Sequence, residues 1–403
     1  MCGSPRLETF LDLGFTPPAD QFLRPDQLQE PETYFPLRVA SCQKCGLAQL
    51  DHVVSPEILY RRDYPYESST TKFGQQHWRE FATTVSERLK LDSTSLVIDV
   101  GSNVGVLLEA FRNQGARVLG IDPASNIVRL AEKRGIETVD EFFGHGVAIK
   151  VEEKYGKASL ITATNVFAHV HDLRDFIQGV DHLLNLRGVF IFEAPYFGNL
   201  LNQVEFDTIY HEHLSYLSLE PLGQFLDEFN MEVFDVQERD IHGGSFRVFV
   251  TRKGSHPVEP AVQSFLEREK KLGLRELSTL KKFAVAVEDN RRSLMTLLHD
   301  LKKAGKKIAG VSAPAKGMTL LNYCRIGPEL LDFVTEKSTL KIGRFTPGTH
   351  IPVVGDDALA EQKVDYALLL AWNFAEEIMG NLKEFRKQGG KFILPVPVPR
   401  VVE

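Results

Sequence analysis

One stretch restricts the fold more than any other: Leu96-Val-Ile-Asp99-Val-Gly101-Ser-Asn-Val-Gly105. An apolar run of strand length enters a turn holding two glycines, and helical spacing follows over 104–114. That order describes a buried strand delivering its chain through a tight turn into a helix, the unit of a parallel sheet covered on both faces. The neighbouring pattern extends the unit: helices are expected over 75–90, 127–134 and 173–185, and strands over 95–100, 117–121, 158–164 and 188–193. Segments 231–239 and 245–251 read as an antiparallel terminal pair. Beyond them, 268–303 reads as a charged helical bridge, and a second α/β pattern follows with strands at 307–311, 331–335, 366–371 and 391–395.

Open sheets of this kind bind ligands beyond the carboxyl ends of their strands. A dinucleotide site calls for three glycines that seat a pyrophosphate on a helix N-terminus. Here Gly101 and Gly105 are two, and Asp99 stands two residues before the first. This form, with a carboxylate available to a cationic methionyl end, suits S-adenosylmethionine better. Asp122 closes the next strand, where a carboxylate accepts hydrogen bonds from ribose hydroxyls. Asn103, Asn165 and Phe142 complete the candidate cofactor residues; Phe142 and Phe143 read equally well as flanking an adenine or as core.

Composition narrows the classes. The 403 residues, 43% hydrophobic and 25% charged, suit a globular chain of two or three domains. The apolar runs fall far short of the roughly 20 residues of a membrane span. Arg6, Glu8 and Asp12 break the basic-then-apolar order of a secretory signal, so a soluble, cytoplasmic protein is expected. A formal charge of -7 with dispersed Lys and Arg argues against a nucleic-acid footprint.

The first 60 or so residues, rich in Pro and turn-formers, read as an irregular module of the kind a metal organises. Cys42-Gln-Lys-Cys45 follows a strand-like 34–39 and offers two thiolates, with Cys2 as a third. No fourth ligand is evident: His52 reads as an exposed loop residue, and incidental buried cysteines are the plainer alternative.

Titratable residues gather after the fourth and fifth strands of the first sheet. Thr164-Asn165-Val-Phe-Ala-His169-Val-His171 follows one; Glu193-Ala-Pro-Tyr196 and then Asp207-Thr-Ile-Tyr210-His211-Glu212-His213 follow the other. Imidazole and carboxyl groups there can move protons near neutral pH. A metal reading of His211-Glu212-His213 is weaker, because alternate positions converge only in extended chain.

At these residues the chain resembles the three-domain sugar C-methyltransferases. The matching segments include Leu11-Asp-Leu-Gly14, Cys42 to Cys45, Tyr64-Pro-Tyr66-Glu-Ser-Ser69, Asp99 to Gly105, Asn165 to His169, Tyr210 to His213, His242-Gly-Gly-Ser245 and Ala313-Pro-Ala-Lys-Gly317. The family resembles this chain less at one point: it carries a second CxxC at the N-terminus, where only Cys2 stands here.

The resemblance implies a zinc module over 1–62, a Rossmann-like S-adenosylmethionine domain over 63–255, a helical linker over 256–303 and a C-terminal α/β domain over 304–403. It also implies a nucleoside-diphosphate-linked 4-keto sugar as substrate, methylated on carbon, with C3 favoured. Independently of the family, a C–H beside a ketone is acidic enough to yield an enolate. His213 is the expected base, with Glu212, His169, Tyr64 and Tyr210 orienting the sugar or stabilising the enolate. Tyr196 is expected at the substrate, and Lys316, Glu336 and Lys337 at the nucleotide. An O- or N-methyltransferase would share the cofactor argument without needing a base, and a nonenzymatic zinc-containing binding module is a second rival. Oligomeric state is left open by the sequence.

Overall fold

A computed structural model describes residues 1–60, 72–240 and 243–403. Strand Leu96–Val100 is buried throughout and lies inside a seven-stranded sheet. From one edge to the other the order is Met231–Arg239, Ser245–Arg252, Leu184–Pro195, Ala158–Thr164, Leu96–Val100, Arg117–Ile121 and Thr138–Val139. The last five run parallel, the first two pair antiparallel with each other, and Ser245–Arg252 pairs antiparallel with Leu184–Pro195. Because Leu96–Val100 is flanked by Arg117–Ile121 on one side and Ala158–Thr164 on the other, successive connections leave it in opposite directions. A crevice opens at its carboxyl end. The two apolar faces are closed by helices such as Lys72–Leu89, Val106–Asn113 and Leu173–Leu183.

The C-terminal region repeats the device. Its six-stranded sheet has the order Val353–Val354, Val334–Thr335, Ile308–Val311, Tyr366–Leu369, Lys391–Leu394 and Arg400–Val402. Ile308–Val311 is again flanked on both sides by parallel strands, which gives a second crevice. The expected strand over 331–335 shortens to Val334–Thr335. Helices Pro260–Leu272 and Leu277–Lys303 connect the two sheets. The longer one buries Leu280, Phe283, Val287, Asn290, Leu294 and Leu298, a single face at helical spacing. Asn290 donates from Nδ2 to the Pro395 and Pro397 carbonyls, both at 2.8 Å, and so ties the bridge to the C-terminal sheet. None of the described helices is long and apolar enough to cross a membrane.

The N-terminal module departs from the irregular structure expected of it. Leu7–Thr16, Phe35–Cys42 and Ala48–Leu50 form an antiparallel sheet whose fourth strand, Ser215–Tyr216, comes from far along the chain. The first strand is hard to recognise because its register shifts between Thr9 and Leu11 and again between Asp12 and Phe15. Two such irregularities in ten residues erase the alternation of period two on which a strand reading depends.

The turn after Leu96–Val100 is close-packed. Gly101 has φ +66°, and a Cβ placed there would lie 2.3 Å from Val166 Cγ2. Gly135 has a similar φ of +72° but only the Arg112 guanidinium nearby, at 3.6 Å. Both Ala substitutions strain the backbone, yet only Gly101→Ala also forces a packed side chain, the half-buried Val166, aside. It is expected to destabilise by roughly 1–3 kcal/mol more than Gly135→Ala. Paired unfolding measurements check this, and equal losses for the two variants would refute the close packing.

Candidate active site

Both crevices open on one cavity of about 540 Å³. Its wall includes Asp99, Gly101, Asn103, Asp122, Phe142 and Asn165 from the first sheet, and Lys316, Glu336 and Lys337 from the second. His169, Tyr210, Glu212 and His213 line it as well, as do Asp20 and Tyr60 from the N-terminal module. All three domains therefore contribute to the same enclosure.

On the first sheet the carboxylates are held by local geometry. Asp122 accepts the Asn103 N–H on one oxygen and the Ala124 N–H on the other, both at 2.9 Å, so it braces the turn as well as facing the cavity. Burial raises its pKa, against these two bonds. Asp99 is 2% exposed and accepts the Thr162 hydroxyl at 2.6 Å. Burial pushes its carboxyl up to about 7, with the Thr162 bond opposing and the Asp122 charge adding to the rise. Asn103 and Asn165 both adopt positive φ, at +50° and +56°, and bring backbone close to the cavity wall. The two phenylalanines are both half-buried, and Phe143 packs edge-on against core residue Phe176, 5.0 Å between centroids.

Two expected site residues belong elsewhere. Gly105 does not line the cavity; it caps helix Val106–Asn113 at φ +78°, and a Cβ there would lie 2.8 Å from Ile136, so its role is packing. Tyr196 is 1% exposed and sits among Phe246, Phe265 and the Arg268 guanidinium, which places it in the core rather than at substrate. Its ring gains more from apolar burial than its hydroxyl would from a solvated site. Tyr64 lies outside the described residues.

The histidines differ sharply. His213 Nδ1 is 2.7 Å from the Thr208 carbonyl, an oxygen that can only accept. Nδ1 therefore carries the proton, and Nε2 is the basic nitrogen of the ring. The rings of Tyr210 and His169 lie 4.0 Å and 4.9 Å from it. His169 lies at the end of a short 3-10 turn, with Nδ1 3.4 Å from the Tyr60 hydroxyl and Nε2 unpartnered among the described residues. Burial pushes its pKa down to about 4, which keeps the ring neutral and weakly basic. His211, between two lining residues, does not line the cavity; it packs edge-on against Phe35 at 5.9 Å.

On the second sheet, helix Ala315–Cys324 begins at the cavity wall directly after Ile308–Val311. Lys316 Nζ stands 4.2 Å over the Trp372 ring and 3.4 Å from Asn373 Oδ1. Lys337 is exposed at the rim, whereas the Glu336 carboxylate accepts the backbone N–H groups of Ala313, Lys337 and Ser338 and so organises the loop. Tyr60, Asp20 and Lys341 went unnoticed in the sequence. Lys341 Nζ bonds Asp20 Oδ1 at 3.1 Å and the Ala313 carbonyl at 2.8 Å, joining the first and last domains. An isolated Lys in a loop carries no pattern that distinguishes it.

The cysteine sulfurs of Cys2, Cys42 and Cys45 all lie within 4.8 Å of one another, and Gly46 closes the turn by donating to the Cys42 carbonyl at 2.8 Å. Three converging thiols fit zinc, and their absence from the cavity wall fits a structural site. No fourth His, Cys, Asp or Glu joins them among the described residues. His52 stacks on Phe35 instead, 5.8 Å between centroids. Metal analysis is expected to find about one zinc per chain, lost in Cys42→Ser. Unchanged zinc in that variant would rule out the three-sulfur site.

Known proteins match along the whole chain. Family models for a zinc binding domain, a methyltransferase domain and a C-methyltransferase C-terminal domain match residues 1–60, 72–236 and 240–397. C-methyltransferase NovU of Streptomyces niveus is 38% identical over 403 residues, 100% of this chain and 96% of that protein. A ubiquinone biosynthesis O-methyltransferase of Pasteurella multocida is 33% identical over 109 residues, 24% of this chain and 45% of that one. The crystal structure of an S-adenosylmethionine-dependent methyltransferase from Clostridium acetobutylicum ATCC 824 aligns over 46% of this chain and 94% of its own, at 15% identity and a TM-score of 0.37. With one relative matching from end to end and three domain models in the same order, the chain belongs to the family of three-domain, S-adenosylmethionine-dependent C-methyltransferases.

Proposed function

We propose that this C-methyltransferase acts on a nucleotide-linked 4-keto deoxysugar, taking a proton from the carbon beside the ketone, with C3 favoured, and methylating that carbon. The observation that carries the reading is the His213 tautomer: a hydrogen bond to the Thr208 carbonyl makes Nε2 the basic nitrogen of a ring on the cavity wall. An alcohol or amine already has the lone pair that a methyl acceptor needs; a carbon acid does not. A positioned base is therefore what carbon methylation adds to a shared cofactor layout.

S-adenosylmethionine, when bound, supplies an electrophilic methyl on a cationic sulfur. The chain's own residues do the rest. Gly101, Asn103 and Asp122 hold the cofactor's side of the cavity, and buried Asp99 offers a carboxylate to a cation. His213 Nε2 takes the C–H proton and becomes imidazolium, while the pair left behind moves onto the ketone oxygen as an enolate. Hydroxyl donors favour that oxygen's charge. Tyr60 suits the role because burial first, and then the charges of Glu212, Tyr210 and Asp20, raise its pKa well above the ordinary value and keep it protonated. Tyr210 and Tyr64 are further candidates for that role, and Glu212 for orienting the sugar. The enolate carbon then takes the methyl, and the sulfide leaves. His169, neutral and weakly basic, orients the sugar rather than deprotonating it. Lys316, at a helix start, and Lys337, at the rim, offer charge to a diphosphate.

Mass spectrometry of products from a panel of nucleotide-linked 4-keto sugars tests the substrate class; methylation of oxygen without loss of carbon-bound deuterium would overturn it. His213→Asn is expected to lower turnover roughly 10²–10⁴-fold while leaving S-adenosylmethionine affinity nearly unchanged. Solvent-deuterium exchange into the sugar should fall with it. Normal exchange in that variant, together with loss of exchange in a His169 variant, would reassign the base.

Cofactor binding should also depend on pH with a definite sign. The Asp99 carboxyl titrates near 7 in the unliganded protein, and a cation beside it favours the ionised form. Binding then releases protons around neutrality, so affinity rises as pH increases through about 7 and levels off above it. Calorimetry in buffers of different ionisation enthalpy checks the release. Asp99→Asn should abolish it, and a persistent release in that variant would assign the proton to another group.

A further inference from the structure

We propose that Asp207 is a positioning residue that locks the loop carrying Tyr210, Glu212 and His213 to Lys316 of the C-terminal domain, with Trp372 as the connecting piece. The inference deepens the functional reading above and rests on it for the anion that Lys316 would meet.

Asp207 is 0% exposed and lies in the short turn Phe206–Thr208, next to the residue whose carbonyl fixes the His213 tautomer. Its Oδ2 accepts the Trp372 indole N–H at 2.6 Å. The face of the same indole carries the Lys316 ammonium at 4.2 Å. One ring thus binds the carboxylate by its edge and the cation by its face: the carboxylate bond crosses from the histidine loop to the C-terminal domain and is lost if the two slide apart, while the cation contact, within that domain, ties the same ring to Lys316. Neighbouring contacts fix the same junction: the Thr319 hydroxyl donates to the Ile209 carbonyl at 3.1 Å, and Phe206 meets Tyr323 edge-on at 5.4 Å.

A merely structural junction would be served better by apolar side chains, because burying a carboxylate costs several kcal/mol unless charge and hydrogen bonds compensate. Here two acids are buried together. Glu205 and Asp207 lie two residues apart, neither lines the cavity, and Glu205 Oε1 and Asp207 Oδ1 have no hydrogen-bond partner among the described residues. Burial raises both pKa values, and the Lys316 charge opposes the rise in each, so the ammonium that faces the cavity is also the cation these acids feel. The consequence is metric. The anion-binding end of the substrate pocket and the base are held at a fixed separation, which deprotonation needs because small misplacements of a reacting group are costly.

The test uses the full chain with Asp207→Ala, which removes the acceptor, Trp372→Phe and the double variant. Trp372→Phe keeps an aromatic face under Lys316 and removes only the N–H. Hydrogen exchange read by mass spectrometry should rise over 205–213 in each single variant and stay unchanged over the cofactor strand at 96–100. With an accepted keto-sugar substrate, kcat should fall roughly 10–100-fold in Asp207→Ala, with the KM for S-adenosylmethionine unchanged. The double variant should be no slower than the slower single, because both changes open the same link. Unchanged exchange over 205–213 in both single variants overturns the proposal, as does multiplicative loss in the double. Failure of the substrate reading would look different: thymidine and uridine diphosphates would not bind the wild-type protein, while the exchange result in the variants would still decide the role of Asp207.

Discussion

An open parallel sheet offers a ligand crevice where its connections diverge, and this chain has two such places that face one another across a single cavity. Their alignment is the constraint on which the rest depends. The ends of Leu96–Val100 and Ile308–Val311 are far apart in sequence, so nothing local can set their separation. Tertiary bonds do it. Asn290 ties the long bridge helix to the last strands, Lys341 ties the N-terminal module to the C-terminal turn, and Asp207 ties the histidine loop to Trp372. Each is a polar link in a buried or half-buried place, where losing one partner strands the other.

The electrostatics follow from the same enclosure. Glu193, at the carboxyl side of the sheet and 1% exposed, is ionised because His77 and Arg247 hold it at 2.8 and 2.6 Å, against the effect of burial. Asp99 is equally buried and has one neutral hydroxyl partner, so its carboxyl rises to about 7. Two carboxylates on strands that flank Ala158–Thr164 thus differ in pKa because one has the Arg247 guanidinium and the His77 ring within reach and the other has a neutral hydroxyl. The histidines divide in the same way: burial without an anionic partner lowers His169, whereas a carbonyl acceptor gives His213 a defined basic nitrogen.

Much of the fold was legible along the chain. The strand at 158–164 and the strand at 117–121 have the bounds that their apolar runs suggest, because a strand buried on both faces needs no alternation to be seen. The terminal pair, Met231–Arg239 and Ser245–Arg252, lies close to the limits 231–239 and 245–251 read from the sequence. The N-terminal sheet was not, since its first strand is interrupted by register shifts and its fourth is supplied by residues 215–216. At the cavity, the glycine turn and the histidine loop announce themselves as clusters of unusual residues. Tyr60 and Lys341 do not, for each is a single ordinary side chain whose role is conferred by a partner distant in sequence; Asp207 stands in the titratable stretch, but nothing there marks Trp372 as its partner.

The sequence by itself determined the chemistry on offer: a glycine turn after a buried strand, an acid at the next strand end, three cysteines for a metal, and an imidazole-rich loop. These are local facts, set by residue type and by spacings of a few residues. Tertiary structure decided which of them meet. It sent Tyr196 into an aromatic core and Gly105 into helix packing, it turned His211 toward Phe35 while its neighbours line the cavity, and it gave His213 its tautomer through the Thr208 carbonyl. The reason is that burial and hydrogen-bond partners, which set charge, tautomer and reach, are properties of the packed chain and have no period in the sequence.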